Sequence, residues 1–258
     1  MGTKKSRAVI SKTKVAHRKQ ESHMKNTDKI SIHYFTDILC VWAYLAQIRL
    51  DEVIKSHSDD IEIIYNFMPI FGHTEHRIGN GWKDKGGFTG FSEHVHEVCI
   101  DYPHIELHKD IWKVNAPKTS STSHLFIKAV QTLVESNDIS NETQKQFQQP
   151  SLVEELIWQI RLAFFRDLKD VSNMDVLMEI ASSLNLPTDK IQSAINNGNA
   201  LAAYSRDIEI KDEFNIEGSP TYILNDGRQK LYGNVGYRII EANIQEILNK
   251  PHIEASWC

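Results

Sequence analysis

Two blocks of mixed strand and helix signal stand at opposite ends of this chain, and residues 69–204 between them carry no convincing strand. In the first block, Lys29–Phe35 alternates apolar and polar residues through Ile30, Ile32 and Tyr34, the period-two pattern of a strand with a buried face. From Val41 to Lys55, Val41, Tyr44, Leu45, Ile48, Val53 and Ile54 place apolar side chains against a core at helical spacing. Ile61–Phe67, rich in isoleucine and aromatics, follows as a second strand. The closing block predicts a helix over Tyr204–Phe214, a strand over Tyr222–Leu224, a turn at Asn225-Asp-Gly227, a strand around Lys230–Tyr232 and an amphipathic helix over Tyr237–Leu248. Asn-Asp-Gly is hairpin chemistry, because tight two-residue turns need positive φ. A β-α-β unit, a helix and a β-β-α unit together predict an α/β fold, one sheet with helices on both faces.

The middle of the chain has helical periodicity in Leu125–Val134, in Leu152, Leu156, Ile160 and Ala163, and in Val176, Leu177, Ile180 and Leu184 before Pro187. These segments predict a helical insertion packed as a lid on the sheet. The Gly-rich stretch Gly79–Gly90 reads as a mobile loop joining sheet and lid, a place where binding sites are often bordered. The domain expectation is a sheet domain from residues 28–68 and 205–250, an insertion over residues 69–204, and a tail over residues 251–258.

A net charge of −5 conceals an asymmetry, since residues 1–27 sum to +7 and leave −12 for the rest. An acidic body argues against nucleic-acid binding, which rests on neutralising phosphates. The basic segment has no apolar core for secretion, and it reads as a disordered leader or tag with Met24 as a natural start. No apolar run has the length to cross a membrane. Three cysteines, Cys40, Cys99 and Cys258, are poor material for a disulfide framework and fit a reducing compartment, with the cytoplasm as the expected location.

Cys40 lies where the first strand passes into the first helix, in Phe35-Thr-Asp-Ile-Leu-Cys-Val-Trp-Ala-Tyr44. The first N–H groups of a helix and its dipole favour an anion, so a thiolate there is expected to have a depressed pKa. The bland alternative is an inert buried thiol, since free cysteine is among the most buried residue types. Trp42 shields the sulfur, walls a substrate or fills the core; Tyr44, one turn into the helix, fits the core. Ala43 stands where a second cysteine would complete C-x-x-C. Cys258 and Cys99 are the candidate resolving thiols. His94-Val-His-Glu-Val-Cys99, with His104 and His108, matches no ligand spacing, so no metal is expected, and the stretch reads as a polar lid surface or as a few histidines bordering the cleft.

The segments Asp37-Ile-Leu-Cys-Val-Trp-Ala-Tyr-Leu-Ala46 and Glu217-Gly-Ser-Pro-Thr-Tyr-Ile223, with the helical block between them, resemble the DsbA family of thioredoxin-fold proteins. The resemblance spans Lys29 to Lys250 and implies a thioredoxin-like fold with a large all-helical insertion. Two cytoplasmic branches are most similar: FrnE-like dithiol oxidoreductases with C-P-W-C, and kappa-class glutathione transferases with 2-hydroxychromene-2-carboxylate isomerases, which carry a serine. Cys40 is similar to the first branch and Ala43-Tyr-Leu-Ala46 to the second, while Val41 replaces the usual proline. The glutathione-using branch tends to carry Gly-x-Asp-Arg, whose acid meets the glutathione amino group; Gly233-Asn-Val-Gly-Tyr-Arg238 lacks that acid. The resemblance implies catalysis by Cys40, a cis-proline at Pro220 presenting the backbone of Ser219, and substrate contacts from Trp42, Ser219, Pro220 and Thr221. It implies a monothiol oxidoreductase with no bound cofactor, glutathione as a co-substrate, and small thiols, disulfides or protein disulfides as substrates. A glutathione-dependent transferase or isomerase and a non-catalytic peptide-binding module are the alternatives, and the oligomeric state stays open.

Overall fold

The computed structural model describes residues 29–249 apart from residues 145, 147 and 148. The expectations for the basic leader, for the tail and for Cys258 as a resolving thiol lie outside the described residues. The first block forms strand β1 (Ile30–Thr36), helix α1 (Val41–Ser56) and strand β2 (Ile61–Phe67). The last forms β3 (Thr221–Leu224), β4 (Gln229–Tyr232) and α8 (Tyr237–Leu248), as the periodicity predicts. Between them lie α2 (Gly87–Cys99), α3 (Ser121–Glu135), α4 (Leu152–Phe165), α5 (Met174–Ser183), α6 (Thr188–Asn196) and α7 (Asn199–Glu213).

The sheet has the order β2-β1-β3-β4. β1 pairs with β2 in parallel, which α1 makes possible as the crossover, and with β3 antiparallel. Period-two alternation divides the side chains between two faces. Ile32 and Tyr34 of β1, with Tyr222 and Leu224 of β3, join the large core that α1, α3, α4 and α8 complete. Phe35 and Ile223 face the other way and, with Met68 and Ile216, pack against Ile210 and Phe214 at the end of α7. The large cluster runs without a break from sheet to inserted helices, so both share one core.

Three local expectations are corrected. The Gly79–Gly90 stretch is helical: a π-helical turn over Glu75–Asn80, a 3-10 turn over Lys83–Lys85, and then α2. Gly86 and Gly87 adopt positive φ, and Gly90 serves close packing, since a Cβ on it would sit 1.6 Å from the carbonyl oxygen of Lys85. The β3–β4 connection has four residues, Leu224 pairing with Gln229, and both Asn225 and Asp226 adopt φ of 52°. The turn residues are those expected, in a longer loop. Finally, α7 begins at Asn199, so the expected boundary at residue 205 falls inside one helix.

Candidate active site

β1 ends in a turn that delivers Cys40 to the N-cap of α1, with φ −77° and ψ 115°. Its thiol donates to the carbonyl oxygen of Ser219 at 3.2 Å, and the Ser219–Pro220 peptide bond is cis. The Ser219 hydroxyl in turn accepts from the Asp37 N–H at 2.9 Å. The β1–α1 turn and the loop before β3 are therefore clipped face to face across the end of the sheet.

Asp37 holds this junction together. One carboxylate oxygen accepts from the Leu39 N–H at 2.8 Å; the other accepts from the Phe71 N–H and the Ser120 hydroxyl, each at 2.8 Å. Burial pushes its pKa up to about 6, against the opposing pull of these donors and of the Arg77 charge. Behind it, His124 Nε2 accepts from the Ile38 N–H at 3.1 Å, which places the ring proton on Nδ1, facing the Tyr204 oxygen at 3.3 Å. Burial holds His124 far down, at about 3, so the ring is neutral. The Tyr204 hydroxyl donates onward to Ser121.

Cys40 lines a cleft of about 390 Å³, a size suited to a small molecule or a short peptide segment. Trp42, Ser219 and His94 line it. Pro220 and Thr221 lie behind the lining; the Thr221 hydroxyl donates to the Gly218 carbonyl at 2.7 Å and closes its own turn. Tyr44 belongs to the core, stacked on Phe165 and donating to the Glu106 carbonyl. Cys99 is half-buried on α2, one turn beyond Val95 of the lining; burial pushes its thiol up to about 11. A second cavity of about 410 Å³ opens at the edge of β2 near Glu154, but no cysteine lines it.

One electrostatic expectation is reversed. Burial pushes the Cys40 thiol above the ordinary range, and the Asp37 carboxylate adds to that. The Ser219 side chain and the N–H groups of Trp42 and Ala43 favour the thiolate, as the helix start predicts, without prevailing over burial. Sequence spacing places a cysteine at a helix start and says nothing about how deeply the walls enclose it.

Those walls are the residues that sequence reasoning missed. Trp82 comes from the segment read as a loop and Phe91 follows directly after it, and their rings meet edge to face with centroids 5.1 Å apart. Arg77 lies over the Phe71 ring at 5.2 Å. Tyr232 of β4 is 67% exposed and covers Gly218, where a Cβ would meet its ring at 2.4 Å. Glu217 completes the rim. Asp37 and Glu217 stood in the quoted motifs, but no pattern marked the aromatics. Among the described residues, no group of three or more His, Cys, Asp or Glu side chains is placed to hold a metal ion.

A thiol at the N-cap of the helix after β1, facing a cis-proline loop before β3, defines a thioredoxin-like fold, here with a helical insertion between α1-β2 and β3. The DSBA-like thioredoxin domain matches residues 31–245, and the chain belongs to that family. No curated protein matches the sequence. Among solved structures, the cytosolic disulfide reductase DsbM from Pseudomonas aeruginosa superposes with a TM-score of 0.57 at 15% identity, over 83% of this chain and 98% of that one. A 2-hydroxychromene-2-carboxylate isomerase gives 0.54 at 13% identity, over 88% and 100%. BdbD from Bacillus subtilis gives 0.53 at 11%, over 87% and 90%. At these identities the likeness is one of fold. Among the described residues, no helix is long and apolar enough to cross a membrane.

Proposed function

We propose that this protein is a cytoplasmic thiol-disulfide oxidoreductase of monothiol type, with Cys40 as its nucleophile. The observation that carries the reading is the position of Cys40, at a helix N-cap in the cleft wall, with its sulfur 3.2 Å from the carbonyl of the cis-proline loop. The Cys40 thiolate attacks one sulfur of a disulfide R–S–S–R; the S–S bond breaks, and the departing R–S⁻ takes the proton that Cys40 gave up. The Ser219 backbone, free of the thiol once the mixed disulfide forms, is placed to pair with an extended substrate segment. With Ala43 in place of a second cysteine, an external thiol such as glutathione attacks the mixed disulfide and returns Cys40 to the thiol. The raised Cys40 pKa supports a second reading, in which Cys40 stays protonated and holds the thiolate of bound glutathione for a transferase or isomerase reaction.

Intact mass after incubation with glutathione disulfide tests the proposal. One bound glutathione is expected, absent from Cys40→Ala. No adduct, or an adduct that persists in the variant, overturns it.

A further inference from the structure

Two side chains of opposite charge line the Cys40 cleft, Arg77 after β2 and Glu217 before β3. Both are exposed, and neither side chain has an ion pair or a hydrogen bond among the described residues. Arg77 is held in place by the Phe71 ring beneath its guanidinium, and Phe71 is itself anchored through its N–H to Asp37. Glu217 stands two residues before the serine whose carbonyl meets the Cys40 thiol. The nucleophile thus shares one enclosed space with a cation on the β2 side and an anion on the β3 side.

We infer that the cleft selects dipolar low-mass thiols and disulfides, with Arg77 receiving a carboxylate and Glu217 an ammonium group on either side of the reacting sulfur. This rests on the oxidoreductase reading and names its substrate class. Guanidinium suits a carboxylate because its planar donors match the two oxygens. Trp82 and Phe91 form the apolar wall next to Arg77, which lowers the local dielectric and strengthens a charge contact there. The volume of about 390 Å³ admits a small molecule of tripeptide size.

The test uses the full chain and four disulfides: cystamine, dithiodiglycolate, bis(2-hydroxyethyl) disulfide and glutathione disulfide, which are cationic, anionic, neutral and dipolar. Rates of Cys40 adduct formation are read by intact mass. Arg77→Gln is expected to slow dithiodiglycolate about fivefold and leave cystamine unslowed; Glu217→Gln is expected to do the reverse. Glutathione disulfide slows in both. The neutral disulfide reports any indirect effect of Arg77 on Cys40 through Asp37, and it is expected to change less than twofold. Equal changes for all four disulfides, or none, overturn the inference while the redox reading stands. Absence of any adduct overturns the redox reading instead. Binding of S-methylglutathione, which cannot exchange, then decides the charge assignment: affinity falls about fivefold in each variant if it is right and is unchanged if it is wrong.

Discussion

The Cys40 thiol and the Ser219 carbonyl lie 3.2 Å apart although 179 positions separate them in the chain. The same serine uses its hydroxyl to accept from the Asp37 N–H, so one residue of the cis-proline loop grips both the sulfur and the turn that carries it. The site is a joint between two ends of the sequence, and its geometry depends on contacts that neither end makes alone.

Removing the Ser219 hydroxyl tests that joint. In Ser219→Ala the Asp37 N–H, fully buried, loses its acceptor. An unsatisfied buried donor costs about 1–3 kcal/mol. The unfolding free energy is expected to fall by that amount, read as a lower urea midpoint at constant m-value. An unchanged midpoint would show that the two loops are held together by packing alone.

Asp37 is expected to set the reactivity of Cys40. Its carboxylate raises the thiol pKa, in the same direction as burial. Wild-type alkylation by iodoacetamide should therefore be slow at neutral pH and reach its midpoint above the ordinary thiol range. Asp37→Asn removes a negative charge and should move the midpoint downward, with faster alkylation at pH 7. A midpoint that stays put or rises would show that Asp37 acts through the loop geometry only.

The order of strands and terminal helices was legible because their side chains repeat at periods of two and 3.6, and Ile61–Phe67 and Tyr237–Leu248 have the bounds the pattern predicts. Helix α2 was not legible, because Gly87 and Gly90 at its start look like loop residues, while Gly87 supplies a φ of 58° and Gly90 a close backbone approach. In the site, Cys40 was marked by its place at a helix start, Trp42 stood between a cleft wall and the core, and Ser219 was named only through the resemblance. Trp82, Phe91, Arg77 and Tyr232 were not legible, since only tertiary packing brings α2, the π-helical turn and β4 to the same cleft. The sign of the Cys40 shift was lost for the same reason: enclosure comes from those distant walls.

His124 gives the fold a specific weakness in acid. The ring is held neutral down to about pH 3, whereas in the unfolded chain it takes a proton near 6.5. Its contribution is complete above 6.5 and is lost as pH falls, by about 2 kcal/mol between pH 6.5 and 5. Asp37, raised to about 6, works in the other direction: its protonation favours the fold as pH drops from 6 towards 4. His124→Gln keeps an acceptor for the Ile38 N–H without the titration. Thermal melts at pH 7 and pH 5 should therefore show a smaller acid loss in the variant than in wild type. Equal losses would mean that His124 does not titrate across unfolding.

Restoring a second sulfur is the sharpest test of the monothiol mechanism. Ala43 lies three positions beyond Cys40 in the first turn of α1, where side chains of residues i and i+3 are neighbours. Ala43 is fully buried, so the added sulfur must displace packed atoms, at about 1 kcal/mol or somewhat more. In Ala43→Cys the mixed disulfide at Cys40 should be attacked from within the motif. Glutathione disulfide would then leave a protein two hydrogens lighter in place of a glutathione adduct, and insulin reduction by dithiothreitol should accelerate. A stable adduct in the variant, with an unchanged insulin rate, would mean that the sulfur at position 43 cannot reach the intermediate. The helix start would then be built for a single thiol.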